Sequence, residues 1–136
     1  SRNQDENLDV LISIIKKVSK LRSLDLNIHA LDLTDAQYQK LAPYLSNLEE
    51  LHLNQAEIKD QGLECLLNAC PKLKSLSLQW AESLRGRAAH ILKEYIKRNP
   101  LLESLDVQGS GALAWRARDL QKAFPQLKRV EYISLS

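Results

Sequence analysis

A spaced run of leucines constrains this chain more than any other feature. Leu48, Leu51 and Leu53 open the stretch LEELHLNQAEIKDQGLECLLNACPKLKSLSL, and Leu73, Leu76 and Leu78 close it at the same spacing. The pattern L-x-x-L-x-L recurs as Leu21-Leu24-Leu26 and Leu102-Leu105-Val107, and more weakly as Leu127-Val130-Tyr132, with starts 27, 25, 29 and 25 residues apart. The L-x-L part alternates as a strand does, so Leu24 and Leu26 face one side and Asp25 the other. After each strand the period becomes helical. Leu63, Leu66, Leu67 and Cys70 fall at i, i+3, i+4 and i+7, and Ala88, Leu92, Tyr95 and Ile96 form a second apolar stripe. Pro71, Pro100 and Pro125 each stand two residues before the next first leucine, where proline stops a helix. One strand–helix unit cannot bury its apolar side alone. The units must stack, with the leucines as a shared core and the residues between them exposed.

A period of roughly 20 to 29 residues built on L-x-x-L-x-L resembles the leucine-rich repeat, and the resemblance covers residues 21 to 135. It implies an α/β fold, a right-handed solenoid with a curved parallel β-sheet on its concave face and α-helices on its convex face. IKDQGLECLLNACPKL is similar to the cysteine-containing repeat of F-box proteins, I-T-D-x-G-L-x-x-L-x-x-x-C-P-x-L. Ile58, Asp60, Gly62, Leu63, Leu66, Cys70, Pro71 and Leu73 fall on the matching positions, and LTDAQYQKLAPYL is a looser copy. More broadly the repeats look like those of the ribonuclease-inhibitor and Ran GTPase-activating proteins. Where the subtype often has Cys or Asn just after the strand, this chain has His29, Ala56, Ala81 and Ser110, and no segment resembles an F-box itself.

Residues 21–136 are therefore read as about four full repeats plus a terminal strand. Residues 1–20, with Leu8, Leu11, Ile12 and Ile15 on one helical face, are read as an N-terminal capping helix or the tail of a preceding repeat. The chain has no methionine, which points to a processed or excised segment of a larger protein. VEYISLS follows the last repeat without a capping helix, so its strand edge is expected to be covered by further sequence or by a partner.

Composition excludes several functions. Nineteen Lys and Arg against seventeen Asp and Glu leave a net charge of +2, too small a field to suggest nucleic acid. The basic residues Lys16, Lys17, Lys20, Lys97, Arg98 and Lys122 fall near helix C-termini, where they complement the helix dipoles. No apolar run approaches the roughly 18 residues that span a bilayer. Cys65 and Cys70, five apart on a helix, point about 140° apart and are not expected to pair. Together with the absence of a signal-peptide pattern, this favours a cytoplasmic or nuclear location. His29, His52 and His90 show no metal-ligand spacing, so neither a metal nor a cofactor is expected.

Function then falls to the solvent side of the strands. The candidate protein-binding residues there are Asp25, Asn27, Glu50, His52, Asn54, Ser77, Gln79, Asp106, Gln108 and Glu131. They make a small, polar, mildly acidic surface suited to a protein partner of basic or polar character. Asp25, His52 and Ser77 also spell a catalytic triad on neighbouring strands, a serine-hydrolase reading. An open sheet offers no oxyanion donors or water-excluding pocket, and Ser77 sits mid-strand, so the chain is read as non-catalytic. On the rim after the strands, Trp80, Arg85, Arg87, Trp115 and Arg116 are further candidates, with Arg118 close by, since Trp and Arg are enriched at binding hot spots. Gly109, Ser110 and Gly111 lack the lysine of a phosphate loop and are read as a flexible connection. The expectation is a non-catalytic protein–protein interaction module, which the F-box resemblance extends to substrate recognition for a ubiquitin ligase. The Ran resemblance implies regulation of a small GTPase as the alternative.

Overall fold

A computed structural model describes residues 2–17, 21–25, 34–55, 57–114 and 117–132. In chain order these form α1 (Arg2–Lys17), β1 (Ser23–Asp25), α2 (Asp35–Leu41), β2 (Glu50–His52), α3 (Asp60–Ala69), β3 (Ser75–Ser77), α4 (Ala88–Arg98), β4 (Ser104–Asp106), α5 (Gly111–Ala114), α6 (Ala117–Ala123) and β5 (Arg129–Glu131). A short 3-10 turn, Ala42–Tyr44, with Pro43 in its first turn, follows α2. The five strands make one sheet in sequence order, every pair parallel. This is the α/β leucine-rich-repeat arrangement that the leucine spacing predicts.

The register pairs Leu24 with Leu51, Leu51 with Leu76, Leu76 with Leu105 and Leu105 with Val130. Leu48, Leu51, Leu53, Leu73, Leu78, Leu102, Leu105 and Val107 are fully buried, as is the α3 stripe Leu63, Leu66, Leu67 and Cys70. Ala88, Leu92, Tyr95 and Ile96 of α4 are buried with them. In α1, Leu8 and Ile15 are buried, and Leu11 and Ile12 pack half-buried on the same core. The basic residues Lys16, Lys17, Lys97, Arg98 and Lys122 do lie in last turns of helices, while Lys20 is outside the described residues. Leu26 is outside them too.

Thr34 starts α2 with a reciprocal cap. Its hydroxyl accepts the Gln37 N–H (3.3 Å), and its own N–H donates to the Gln37 side chain (2.8 Å). At the end of α3 the subtype's cysteine, Cys70, is buried, and the next repeat puts Asn99 in the equivalent place before its proline. The Asn99 amide donates to the Leu73 carbonyl (2.9 Å) and to the Tyr95 hydroxyl (3.0 Å), and that hydroxyl donates to the Cys70 carbonyl. The Tyr95 side chain thus satisfies a backbone carbonyl of the repeat before it, and Asn99 one at the start of its own repeat. Along the N-terminal ends of the strands, Arg22, Glu49, Lys74, Glu103 and Lys128 alternate in sign. Ion pairs join Arg22 to Glu49 (3.9 Å), Glu49 to Lys74 (3.4 Å) and Glu103 to Lys128 (3.8 Å). Exposed pairs of this kind contribute about 0.2–1 kcal/mol each, so they bias the register without carrying the fold.

Both thiols are free. Burial, with Cys65 adding to it, pushes the Cys70 thiol from 9.0 up to about 12. Burial also raises the Tyr95 hydroxyl, with Cys70 adding to it. A raised pKa of this sign means full stability below the free-thiol value and a loss as pH climbs through the folded one. Chemical unfolding as a function of pH is expected to show no loss from these two groups below about pH 9, then a fall approaching about 1.4 kcal/mol per unit from the thiol, joined at higher pH by the hydroxyl. A Cys70→Ala variant loses part of that slope. Tyr95→Phe leaves the Cys70 carbonyl without its donor and is expected to lower stability by about 1–2 kcal/mol at neutral pH, measured by urea titration.

Candidate functional site

The same register that stacks the leucines lays their flanking residues out in rows on the opposite face. One row runs Ser23, Glu50, Ser75, Ser104, Arg129, and the next runs Asp25, His52, Ser77, Asp106, Glu131. Asn54, Gln79 and Gln108 follow β2, β3 and β4 as a third row of amides. The sequence-derived face residues are therefore brought together in the order expected, apart from Asn27, which is outside the described residues.

Side chains link these rows. The Asn54 carbonyl oxygen accepts the Ser77 hydroxyl and the Gln79 backbone N–H (2.9 Å). The Gln79 side-chain amide donates to one oxygen of Asp106. Gln108 gives Asp106 its backbone N–H (3.1 Å) and its side-chain amide (3.3 Å), and the same amide reaches Glu131 (3.0 Å). Asp106 is held by three N–H donors that are all uncharged. On the first row, the Ser23 hydroxyl donates to Glu50 (3.3 Å).

This network bears on the triad spelled by Asp25, His52 and Ser77. A serine nucleophile donates to the histidine that will take its proton. Here the Ser77 hydroxyl donates to Asn54, and the residue is only 6% exposed. His52 Nε2 lies 4.0 Å from the Glu50 carboxylate. The row is a hydrogen-bonded sheet surface in which the serine is already engaged.

At the C-terminal ends of the strands a second pattern emerges. Gln55, Trp80 and Gly109, at equivalent positions of three successive repeats, all have left-handed backbones, with φ of 62°, 55° and 73°. Only the last is a glycine, and it must be one for two reasons. Its φ disfavours any Cβ, and a Cβ there would sit 2.3 Å from the Trp80 ring. The indole therefore rests on Gly109, with its other side outward, 41% exposed. Ser110 is fully buried; its hydroxyl donates to the Leu78 carbonyl and accepts the Ala81 N–H (2.8 Å). Gly109 and Ser110 are thus built into the packing between repeats, which corrects their reading as a flexible connection. The sequence signal was available. Gly109 aligns with Trp80, and glycine is the residue that tolerates a left-handed turn at no steric cost.

Two further rim candidates, Arg85 and Arg87, are occupied within the chain. Asp60, at the start of α3, accepts the backbone N–H groups of Arg85 (2.8 Å) and Arg87 (3.1 Å), which gives the subtype's aspartate its role. The Arg85 guanidinium folds back on the carbonyls of Glu82 (2.6 Å) and Leu84 (3.1 Å), while Arg87 pairs with Glu64 at 3.3 Å. Trp115 and Arg116 are outside the described residues, and Arg118 is exposed. Among the described residues, no group of three or more His, Cys, Asp or Glu could hold a metal ion. No helix among them is long and apolar enough to cross a membrane.

The family model of FBD-associated F-box protein At5g56370, LRR repeats, matches residues 2–99 of the chain. No curated protein matches it in sequence. Among solved structures, the tropomodulin C-terminal domain from Caenorhabditis elegans is similar with a TM-score of 0.68 and 15% identity, over 95% of this chain and 84% of that one. Leiomodin-1 actin-binding site 2 is similar with a TM-score of 0.67 and 15% identity, over 97% of this chain and 80% of that one. At such identity these two likenesses concern the fold alone.

Two measurements check the site. Gly109→Ala is expected to displace the indole and cost about 2 kcal/mol or more, because strain and overlap add. Trp80 fluorescence, read with Trp115 replaced by Phe, should shift to the red. A fluorophosphonate probe is expected to leave the chain unlabelled; labelling that disappears in Ser77→Ala would restore the hydrolase reading.

Proposed function

The chain belongs to the leucine-rich-repeat family of the FBD-associated F-box proteins, and on that premise we propose that it is a non-catalytic protein-binding module that recognises the substrate of a ubiquitin ligase. The binding surface is the exposed sheet face with the Trp80 edge beside it. The observation that carries this reading is Trp80 itself. A bulky side chain in a left-handed backbone costs of order 1 kcal/mol, and this one leaves 41% of its surface in water. Glycine at position 80 would relieve that strain, as it does at Gly109. An exposed aromatic kept at a strained position is better explained by contact with a partner than by folding. The rows of polar groups on β2 to β5 beside it supply hydrogen-bonding capacity over several strands, as repeat proteins use for extended partners.

The test is an affinity capture from cell extract that compares wild type with Trp80→Gly, a variant compatible with the local backbone. Matching circular dichroism and a cooperative melt in both proteins establish that the fold is kept. The expected result is a set of proteins retained by wild type, reduced on the order of tenfold or more in the variant. Those proteins should carry ubiquitin and accumulate when the proteasome is inhibited. Trp80-dependent partners that are never ubiquitylated would remove the ligase role and leave the binding role. Identical captures by both proteins would remove both.

A further inference from the structure

We infer that the sheet face receives a basic, extended segment of the partner, with a lysine or arginine seated between Asp106 and Glu131 and an apolar side chain against Trp80. This rests on the protein-binding reading above and adds the chemistry of the part that is bound.

Asp106 and Glu131 are register partners on β4 and β5, so their backbones run roughly 4.8 Å apart with both carboxylates on the outer face. Like charges directly opposite each other across a sheet destabilise it. This pair is oriented but not neutralised. Its hydrogen bonds come from neutral amides of Gln79 and Gln108, and the Gln108 side chain spans the two carboxylates. Among the ion pairs of the described residues, neither carboxylate takes part. Arg129 stands on the same face two residues before Glu131, yet makes no ion pair with it among those residues. The acids at the strand ends behave differently: Glu49 and Glu103 each have a cation partner. A chain of net charge +2 thus keeps four acidic residues on this face, Asp25, Glu50, Asp106 and Glu131, against one arginine.

A cation placed between Asp106 and Glu131 would turn the like-charge cost into attraction, and an arginine fork matches two carboxylates best. A metal ion is less suited, because no third His, Cys, Asp or Glu joins them among the described residues. The apolar anchor is tied to the same place. The backbone N–H of Trp80 donates to the Gln108 carbonyl (2.9 Å), and Gln108 is the residue whose side chain bridges the carboxylates. Two features that each cost stability, a strained exposed indole and an opposed carboxylate pair, therefore share one supporting residue. An extended segment places alternate side chains roughly 7 Å apart, enough for one to reach the carboxylates while the next but one meets the indole.

The experiment pans random peptides displayed on phage against the whole chain, then measures fluorescein-labelled synthetic versions of the recovered sequences by anisotropy. Wild type is compared with Glu131→Gln, Glu131→Lys and Trp80→Gly, at low and high salt. Glu131 is exposed, so its variants should keep the fold, which circular dichroism verifies. Recovered peptides are expected to carry Lys or Arg near an apolar residue. Their binding should weaken on the order of tenfold in Glu131→Gln, further in Glu131→Lys, and with rising salt. Peptides that need Trp80 but are neutral or acidic, and indifferent to Glu131→Lys, would overturn the basic segment and leave the binding module intact. Peptides indifferent to both positions, together with captures unchanged by Trp80→Gly, would overturn the two readings together.

Discussion

Each leucine of the sheet is shielded from water by its counterpart in the repeats on either side. Leu51 is fully buried between Leu24 and Leu76, and Leu105 between Leu76 and Val130. At the outermost strands the shielding weakens. Leu24 is 8% exposed and Val130 is half-buried, as expected where a neighbour is missing on one side among the described strands. The burial is cooperative between repeats, because no unit hides its apolar side alone. The other features of the fold inherit that stacking. Helix α3 comes so close to α2 that a Cβ on Gly62 would meet Asp35, Tyr38 and Ile58 at 3.1–3.2 Å. Tyr95 and Asn99 reach back to the carbonyls of Cys70 and Leu73, and Asp60 reaches forward to amides of the next repeat.

Once the core has set the register, the polar residues between the leucines have no freedom to choose their neighbours. Some of the forced pairings are favourable, as in the alternating column from Arg22 to Lys128. Others are not. Asp106 faces Glu131, and the left-handed position after β3 is filled by tryptophan instead of glycine. Local chemistry that opposes stability is where functional demand is most often found. The two exceptions on this sheet lie next to each other, joined through Gln108. Gln55 shares the left-handed backbone at the end of β2, but it is a polar side chain.

Much of the fold was legible in advance. The leucine spacing located all five strands, the helical stripes located the buried faces of α3 and α4, and the prolines marked where α3 and α4 end. These signals are local and periodic, and the free energy behind them is large: burying one such side chain contributes about 1.5–3 kcal/mol. The site was legible in outline only. Aligned repeats place His52 beside Ser77 correctly, yet the hydroxyl of Ser77 turns to Asn54. The alternating charge column could also be read once the repeats were aligned, but a charge pattern alone does not say which ions meet. Gly109 and Ser110 read as a flexible loop because small polar residues in sequence look alike whether they are solvated or buried.

The sequence by itself determined the α/β repeat architecture, the parallel order of the strands and the list of residues on each face. Those follow from periods of two and of three to four residues repeated every 25 to 29, which only one kind of stacking can bury. Tertiary structure decided which of the polar groups bond to which neighbours. Asp60 takes backbone amides of the next repeat and Ser110 is buried against Leu78, while Asp106 and Glu131 take only neutral amides and Trp80 stays 41% exposed. That choice turns on hydrogen bonds worth about 1 kcal/mol each, made between residues some 25 positions apart. Differences so small and so distant leave no periodic trace in the sequence, and they are settled only when the repeats are stacked.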